Sequence, residues 1–96
     1  MKRYFVYMVR CSDGSFYVGI TNNIEYRLGQ HNLGYDPTSY TFTRRPVELV
    51  YLSEFGDVID AIQWEKHLKG WSRAKKTALI ANDWHRIHLL SCGKAK

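Results

Sequence analysis

Tyr4 to Arg10 is an apolar run rich in aromatic and β-branched residues, the pattern of a strand buried on both faces and central, or nearly so, in its sheet. Cys11 to Ser15 supplies a turn, because Asp13-Gly14 tolerates positive φ, and Phe16 to Thr21 returns as the second strand of a hairpin. Loop length sets the register. A strict two-residue loop at Asp13-Gly14 pairs Tyr7 with Ile20 and puts Tyr7 and Tyr17 on opposite faces. A three-residue loop or one bulge pairs Tyr7 with Gly19 and Val9 with Tyr17, which puts both hydroxyls on one face and gives Gly19 a purpose: it leaves room beside Tyr7 for a ligand or another backbone.

Further along, Thr21-Asn22-Asn23 offers helix-capping oxygens, and the helix that starts at Ile24 stops at Gly34. Tyr35 to Pro46 is a long loop carrying hydroxyls, aromatics and the pair Arg44-Arg45, and Val47 to Ser53 is a third strand. Asp57 caps a helix that Gly70 ends, and Ser72 caps the next. Asn82-Asp83 begins a last turn or short helix through Leu90, with Ser91 to Lys96 as a frayed tail. The order ββαβαα, with three to four helices in all, is that of a small α+β domain within the α/β class.

Two helices carry polar residues where apolar ones are expected. At 100° per residue with Ile24 at zero, Leu28 falls at about 40°, His31 at about 340° and Arg27 at about 300°. Arg27 and His31 therefore border the apolar stripe, where they either pack at the core edge or face a site. On the later helix, with Val58 at zero, Ile62 falls at about 40°, Ala61 at about 300° and Leu68 at about 280°, while Glu65 falls at about 340° and Lys69 at about 20°. A carboxylate in mid-stripe needs compensation. Lys69 could supply it as an ion pair one turn on, or a divalent metal could do so in a cleft where the helix meets the sheet.

Composition narrows the class. Ninety-six residues make one domain, 1–96, and the 45% apolar and 15% aromatic content marks it as globular. A net charge of +5 and a pI near 9.4 favour nucleic acid over acidic metabolites. Arg73, Lys75 and Lys76 form the densest basic cluster, either a solvated face or a phosphate grip. Met1-Lys2-Arg3-Tyr4 leads into a strand with no stretch apolar enough for a signal peptide or a membrane span, so a cytoplasmic protein without a membrane partner is expected. Cys11 and Cys92 show no metal-binding spacing and read as free thiols, and His85 and His88 read as surface residues.

Val6-Tyr7, the turn, Tyr17-Val18-Gly19-Ile20-Thr21, then Arg27, His31 and Glu65 together resemble the GIY-YIG nuclease family. The resemblance continues through Thr41, Arg44-Arg45-Pro46 and Glu65-Lys66 to Lys69-Gly70-Trp71-Ser72. It covers about 4–81, leaves 82–96 as a C-terminal extension, and is nearest to small stand-alone bacterial members. Phe5 stands in place of the first glycine of the family name, and Asn82 lies too far past Glu65 to be assigned as a late supporting asparagine. The resemblance implies a three-stranded antiparallel sheet flanked by helices and metal-dependent hydrolysis of phosphodiesters, in DNA repair or nucleic-acid processing. It gives Tyr7, Tyr17, Arg27, His31 and Glu65 as catalytic. Tyr7 or Tyr17 takes a proton or relays it to His31, Arg27 holds the scissile phosphate, and Glu65 binds one Mg²⁺ or Mn²⁺. Gly19, Thr21, Arg44, Arg45, Lys69, Arg73, Lys75 and Lys76 are expected to contact nucleic acid. The substrate is DNA, whether duplex, branched or single-stranded, with RNA not excluded; the sequence does not specify an oligomeric state. Two other classes compete: a binding module too weak to cut, and a domain whose basic face contacts another protein.

Overall fold

The computed structural model describes residues 3–93, with side chains as far as Ser91. The Cys92 thiol and the tail beyond Gly93 lie outside the described residues. Strands β1 (Tyr4–Arg10), β2 (Phe16–Thr21) and β3 (Glu48–Phe55) form one antiparallel sheet in the order β2-β1-β3. The most apolar strand is thus central, as its composition requires. Tyr7 pairs with Gly19 and Val9 with Tyr17, so the longer turn is the one adopted and both tyrosines lie on one face. Between β1 and β3 the register slips at Met8/Val9, leaving Val50 as a bulge.

β3 begins and ends later than the apolar pattern over Val47 to Ser53. Val47 is drawn out of the strand by Asn32, whose amide accepts the Val47 N–H at 2.7 Å and donates to its C=O at 3.2 Å. Glu54 and Phe55 continue the strand because Phe5 and Tyr4 lie opposite them.

Four helices follow the capping signals: α1 (Ile24–Leu33), α2 (Val58–Lys69), α3 (Arg73–Ile80) and α4 (Trp84–Gly93), with a short 3₁₀ turn at Phe42–Arg44. Side-chain oxygens of Asn23, Asp57 and Ser72 accept N–H groups of the first turns of α1, α2 and α3, each contributing about 1 kcal/mol. Gly34 closes α1 at φ 70°, ψ 40°, and its N–H reaches the carbonyls of Gln30 and His31. α4 runs on to Gly93 where the pattern suggests a tail beyond Leu90; Ile87, 6% exposed, anchors it to the core.

β1 divides the core into two layers. Val6 and Met8, both fully buried, meet Val18, Ala61 and Leu68 of α2, Ala78 and Leu79 of α3, and Ile87 of α4. Side chains of this size stabilise the fold by about 1.5–3 kcal/mol each when fully buried. On the other face Tyr7, Val9, Cys11 and Val47 pack with Tyr17 and Leu49 and with Ile24 and Leu28 of α1. Cys11 is a free, buried thiol, and burial raises its pKa. Among the described residues, no helix is long and apolar enough to cross a membrane.

Candidate active site

The layer under α1 carries a chain of polar groups. Tyr7, 1% exposed, points its hydroxyl at His31 Nε2, 2.8 Å away, and accepts an N–H from Arg27 Nε at 3.3 Å. His31, 4% exposed, has its other nitrogen 2.7 Å from the hydroxyl of Thr41, which is 1% exposed and lies 3.1 Å from the hydroxyl of Ser39. Arg27 also donates to Gln30 Oε1 at 3.3 Å, so Tyr7 and Gln30 together orient its guanidinium. Tyr17 stands edge-on to the His31 ring with centroids 5.4 Å apart, and 6.4 Å from the Tyr7 ring. The one-turn spacing on α1 and the pairing of β1 with β2 bring these four residues together.

Their electrostatics follow from burial. Tyr7 is pushed above the usual phenol range by burial, which outweighs the hydrogen bond from Arg27. His31 is lowered, chiefly by burial and then by the Arg27 charge, so its imidazole is neutral near neutral pH. For Arg27, burial opposes the charge, but the phenol oxygens of Tyr7 and Tyr17 outweigh it and raise the pKa.

Gly19 makes the arrangement possible, and the space it leaves is filled by the Tyr7 ring itself rather than by a ligand or another backbone. A Cβ there would overlap the Tyr7 phenol, coming within 2.9 Å of Cε1, and His31 and Arg27 hold that ring in place. Gly19→Ala is expected to destabilise the domain by about 1–3 kcal/mol, the cost of overpacking a filled site, as measured by chemical denaturation. Displacement of the Tyr7 and His31 ring signals in an NMR spectrum should accompany it.

Glu65 is placed differently. The fully buried residues of α2 are Ala61 and Leu68, while Ile62 is 36% exposed, so the stripe is centred away from Glu65 and the carboxylate lies at its edge. Its side chain keeps 14% exposure and pairs with Lys69 at 3.2 Å, so the ion pair foreseen from the helix spacing is formed. Among the described residues Glu65 forms no hydrogen bond or ion pair with Tyr7, Tyr17, Arg27 or His31; its charge is one of the influences that raise the Tyr7 pKa. Lys69 itself lines a groove of about 240 Å³ with Phe16, Tyr17, Val18, Tyr40 and Lys76. Because β2 is an edge strand, this groove joins the Tyr17 face of the sheet to the α2 and α3 face.

The other basic residues are unequally available. Lys76 lines the groove and burial lowers its pKa, while Lys75 sits 5.2 Å from the Trp71 ring centroid. Arg44 is held by Asp13 at 3.1 Å and by the Tyr40 carbonyl at 2.7 Å, Arg45 by the Phe42 carbonyl at 2.8 Å, and Arg73 by the Gly14 carbonyl at 2.7 Å. Those three brace the turn and the loop. The Thr21 hydroxyl receives the Asn23 N–H ahead of α1. Ser39, Tyr40 and Gln30 are additions that helical and strand periodicity could not supply: two lie on an aperiodic loop and the third on the far side of the wheel. Tyr40 stacks on Tyr17 at 6.0 Å and carries the Arg44 guanidinium 3.9 Å from its ring centre.

The family model of the GIY-YIG catalytic domain matches residues 3–78. The chain belongs to the GIY-YIG family. The family consists of nucleases. UPF0213 protein SH2523 of Staphylococcus haemolyticus is 42% identical over 80 residues, 83% of this chain and 96% of that relative. The solution structure of UPF0213 protein BH0048 from Bacillus halodurans matches with a TM-score of 0.55 at 35% identity, over 82% of this chain and 83% of that one. That of EF2693 from E. faecalis matches with a TM-score of 0.57 at 30% identity, over 100% and 91%. The GIY-YIG match spans β1 to most of α3, and therefore all of the residues gathered around Tyr7 and the Glu65–Lys69 pair.

Proposed function

We propose that this GIY-YIG protein is an endonuclease that hydrolyses phosphodiester bonds in DNA with the help of one Mg²⁺ or Mn²⁺ ion. The observation that carries the reading is the bond from Tyr7 to a neutral, buried His31 beside the Arg27 guanidinium. Phosphodiester hydrolysis needs an activated water and a counter-charge for the pentavalent phosphate. A phenol with a raised pKa is protonated at rest, so Tyr7 becomes a base only by handing its proton to His31 Nε2 as it takes one from water. The Arg27 charge stabilises the negative charge that develops on the phenol oxygen during this relay, and its forked donors suit a phosphate oxygen. Tyr17, partly exposed in the groove, positions the attacked strand.

One carboxylate, that of Glu65, already paired with Lys69, is the oxygen donor this reading assigns to a hard cation. Glu65 presents its carboxylate with 14% side-chain exposure, and among the described residues no group of three or more His, Cys, Asp or Glu comes together. Mg²⁺ commonly uses one or two carboxylates and leaves its other positions to phosphate oxygens and water. Glu65 would hold the ion, which when bound supplies positive charge for the phosphate and the leaving oxygen.

Lys69, Lys75, Lys76 and Arg73 are the phosphate-gripping residues in this reading, with the loop cations Arg44 and Arg45 bracing the turn and contributing charge. The test is a gel assay of branched, nicked, duplex and single-stranded DNA, and of RNA, with Mg²⁺, Mn²⁺ or chelator. Metal-dependent cleavage products are expected. Salt-sensitive binding without products would favour the binding-module reading, and binding to neither nucleic acid would favour a protein partner. Lys75→Ala with Lys76→Ala is expected to weaken binding similarly on unrelated sequences and to flatten the slope of log affinity against log salt by about 2 on duplex DNA. An unchanged slope would return both lysines to the solvated surface.

A further inference from the structure

The direction of each hydrogen bond around His31 can be worked out from the hydroxyls that flank it. Thr41 is 1% exposed and its hydroxyl has two partners, His31 Nδ1 at 2.7 Å and Ser39 Oγ at 3.1 Å; accepting from both would leave its own buried proton without a partner, so it accepts from one and donates to the other. Ser39 Oγ also accepts the Thr41 backbone N–H at 3.3 Å. At the opposite end, Tyr7 accepts from Arg27 Nε. Two complete orientations exist. If Nδ1 carries the proton, it donates to Thr41, Thr41 donates to Ser39, and Tyr7 donates to Nε2. The one proton left over then belongs to Ser39, which is partly exposed and lines a cavity of about 10 Å³, room for about one water. If Nε2 carries the proton, the whole chain reverses and the proton left over belongs to the Tyr7 hydroxyl, on a residue that is 1% exposed. In the substrate-free protein Ser39 lines this water-sized cavity whereas Tyr7 is 1% exposed, and a polar hydrogen without a partner is costly when buried and nearly free at a wet site, which decides between the two; the water that Tyr7 meets in the nuclease reading arrives with the substrate.

We propose that Thr41 and Ser39 are positioning residues that lock His31 in the Nδ1–H tautomer, so that Nε2 presents its lone pair to the Tyr7 hydroxyl. The inference deepens the nuclease reading, in which Nε2 must receive the Tyr7 proton, but its primary measurement needs no substrate. Thr41 orients the imidazole from the far side of the ring, as a third group orients a general base in other hydrolases. Nothing in the spacing of Thr41 and Ser39 signals this, because the loop brings them under α1 only in the fold.

Long-range ¹H–¹⁵N spectra of the metal-free protein at pH 8 report the tautomer directly. His31 is expected to show a protonated Nδ1 and an unprotonated Nε2, at least about ten to one, a ratio that corresponds to 1.4 kcal/mol. Thr41→Val should abolish the bias, Thr41→Ser should restore it, and Ser39→Ala should reduce it by removing the acceptor of the Thr41 proton. In the cleavage assay Thr41→Val should lose about 10²-fold, the low end of a general base's contribution, with Thr41→Ser near wild type. A wild-type Nε2–H tautomer, or Thr41→Val with the Nδ1–H bias intact, would overturn the proposal. If Thr41→Val fails to fold, the wild-type spectrum and Ser39→Ala decide it. Absence of cleavage with the tautomer as expected would count against the nuclease reading and leave the lock standing.

Discussion

Glu65→Gln is expected to lower metal-dependent cleavage by about 10²–10⁴-fold, since an ion that stabilises the reacting phosphate contributes several kcal/mol and each 1.36 kcal/mol is a factor of ten. The substitution keeps the shape and a carbonyl oxygen but removes the negative charge that attracts a hard cation. Its effect on stability separates the two explanations of this residue. From the helix spacing alone, a Glu65–Lys69 pair buried in mid-stripe would leave a stranded ammonium and cost about 3 kcal/mol when broken. The observed pair is different: Lys69 is 53% exposed, so its ammonium returns to water, and the loss is that of a surface pair, about 0–1 kcal/mol. Cleavage and thermal melts with and without Mn²⁺ should therefore show a variant that folds, binds DNA, does not cut, and gains no stability from Mn²⁺. A variant that cuts at the normal rate, or wild-type cleavage that persists in chelator, would remove Glu65 from the metal role.

The difference between the expected and observed Glu65 shows what the sequence could carry. Period-two and period-3.6 patterns depend on neighbours along the chain, and with the capping signals at Thr21-Asn22-Asn23, Asp57 and Ser72 they located β1, the hairpin, α1, α2 and α3. They also narrowed the hairpin to two registers, and Gly19 marked the one adopted because only a residue without a side chain fits against the Tyr7 ring. A wheel, however, gives the width of an apolar stripe and not which part of it meets the core. On α2 the packing against Val6 and Met8 selects Ala61 and Leu68, turning Glu65 to the rim and Ile62 outward. Loop residues are harder still. Arg44 and Arg45 are expected from the sequence to contact nucleic acid, and what it could not show is that Asp13 and backbone carbonyls hold their guanidinium groups, contacts 31 residues apart in one case and local turns in the others. Thr41 entered through family resemblance alone, and its bond to His31 spans an aperiodic loop.

Tyr7→Phe and His31→Gln are expected to behave as one lesion. Tyr7→Phe removes the hydroxyl between His31 Nε2 and Arg27 Nε, leaving a buried imidazole nitrogen and a half-buried guanidinium N–H short of a partner, at a cost of about 1–3 kcal/mol. It also removes the proton acceptor, so cleavage should fall by about 10²–10⁴-fold. His31→Gln leaves the phenol but takes away the neutral nitrogen that receives its proton, and should cost about as much. If the two act in series, the double variant is little worse than either single one. The pH dependence follows from the same bond. Burial and Arg27 hold the folded His31 pKa below its ordinary 6.5, so the imidazole is neutral and able to accept at pH 6.5 and above. Cleavage should then show an acid limb lying below pH 6.5. Stability should follow the same sign: the unfolded chain takes up a proton near pH 6.5 and the folded chain resists it, so this contribution is present above pH 6.5 and is lost as pH falls through the folded pKa. His31→Gln should lack that part of the acid destabilisation. Equal and additive losses in the double variant, or an acid limb centred above pH 6.5, would show that Tyr7 and His31 do not share a proton.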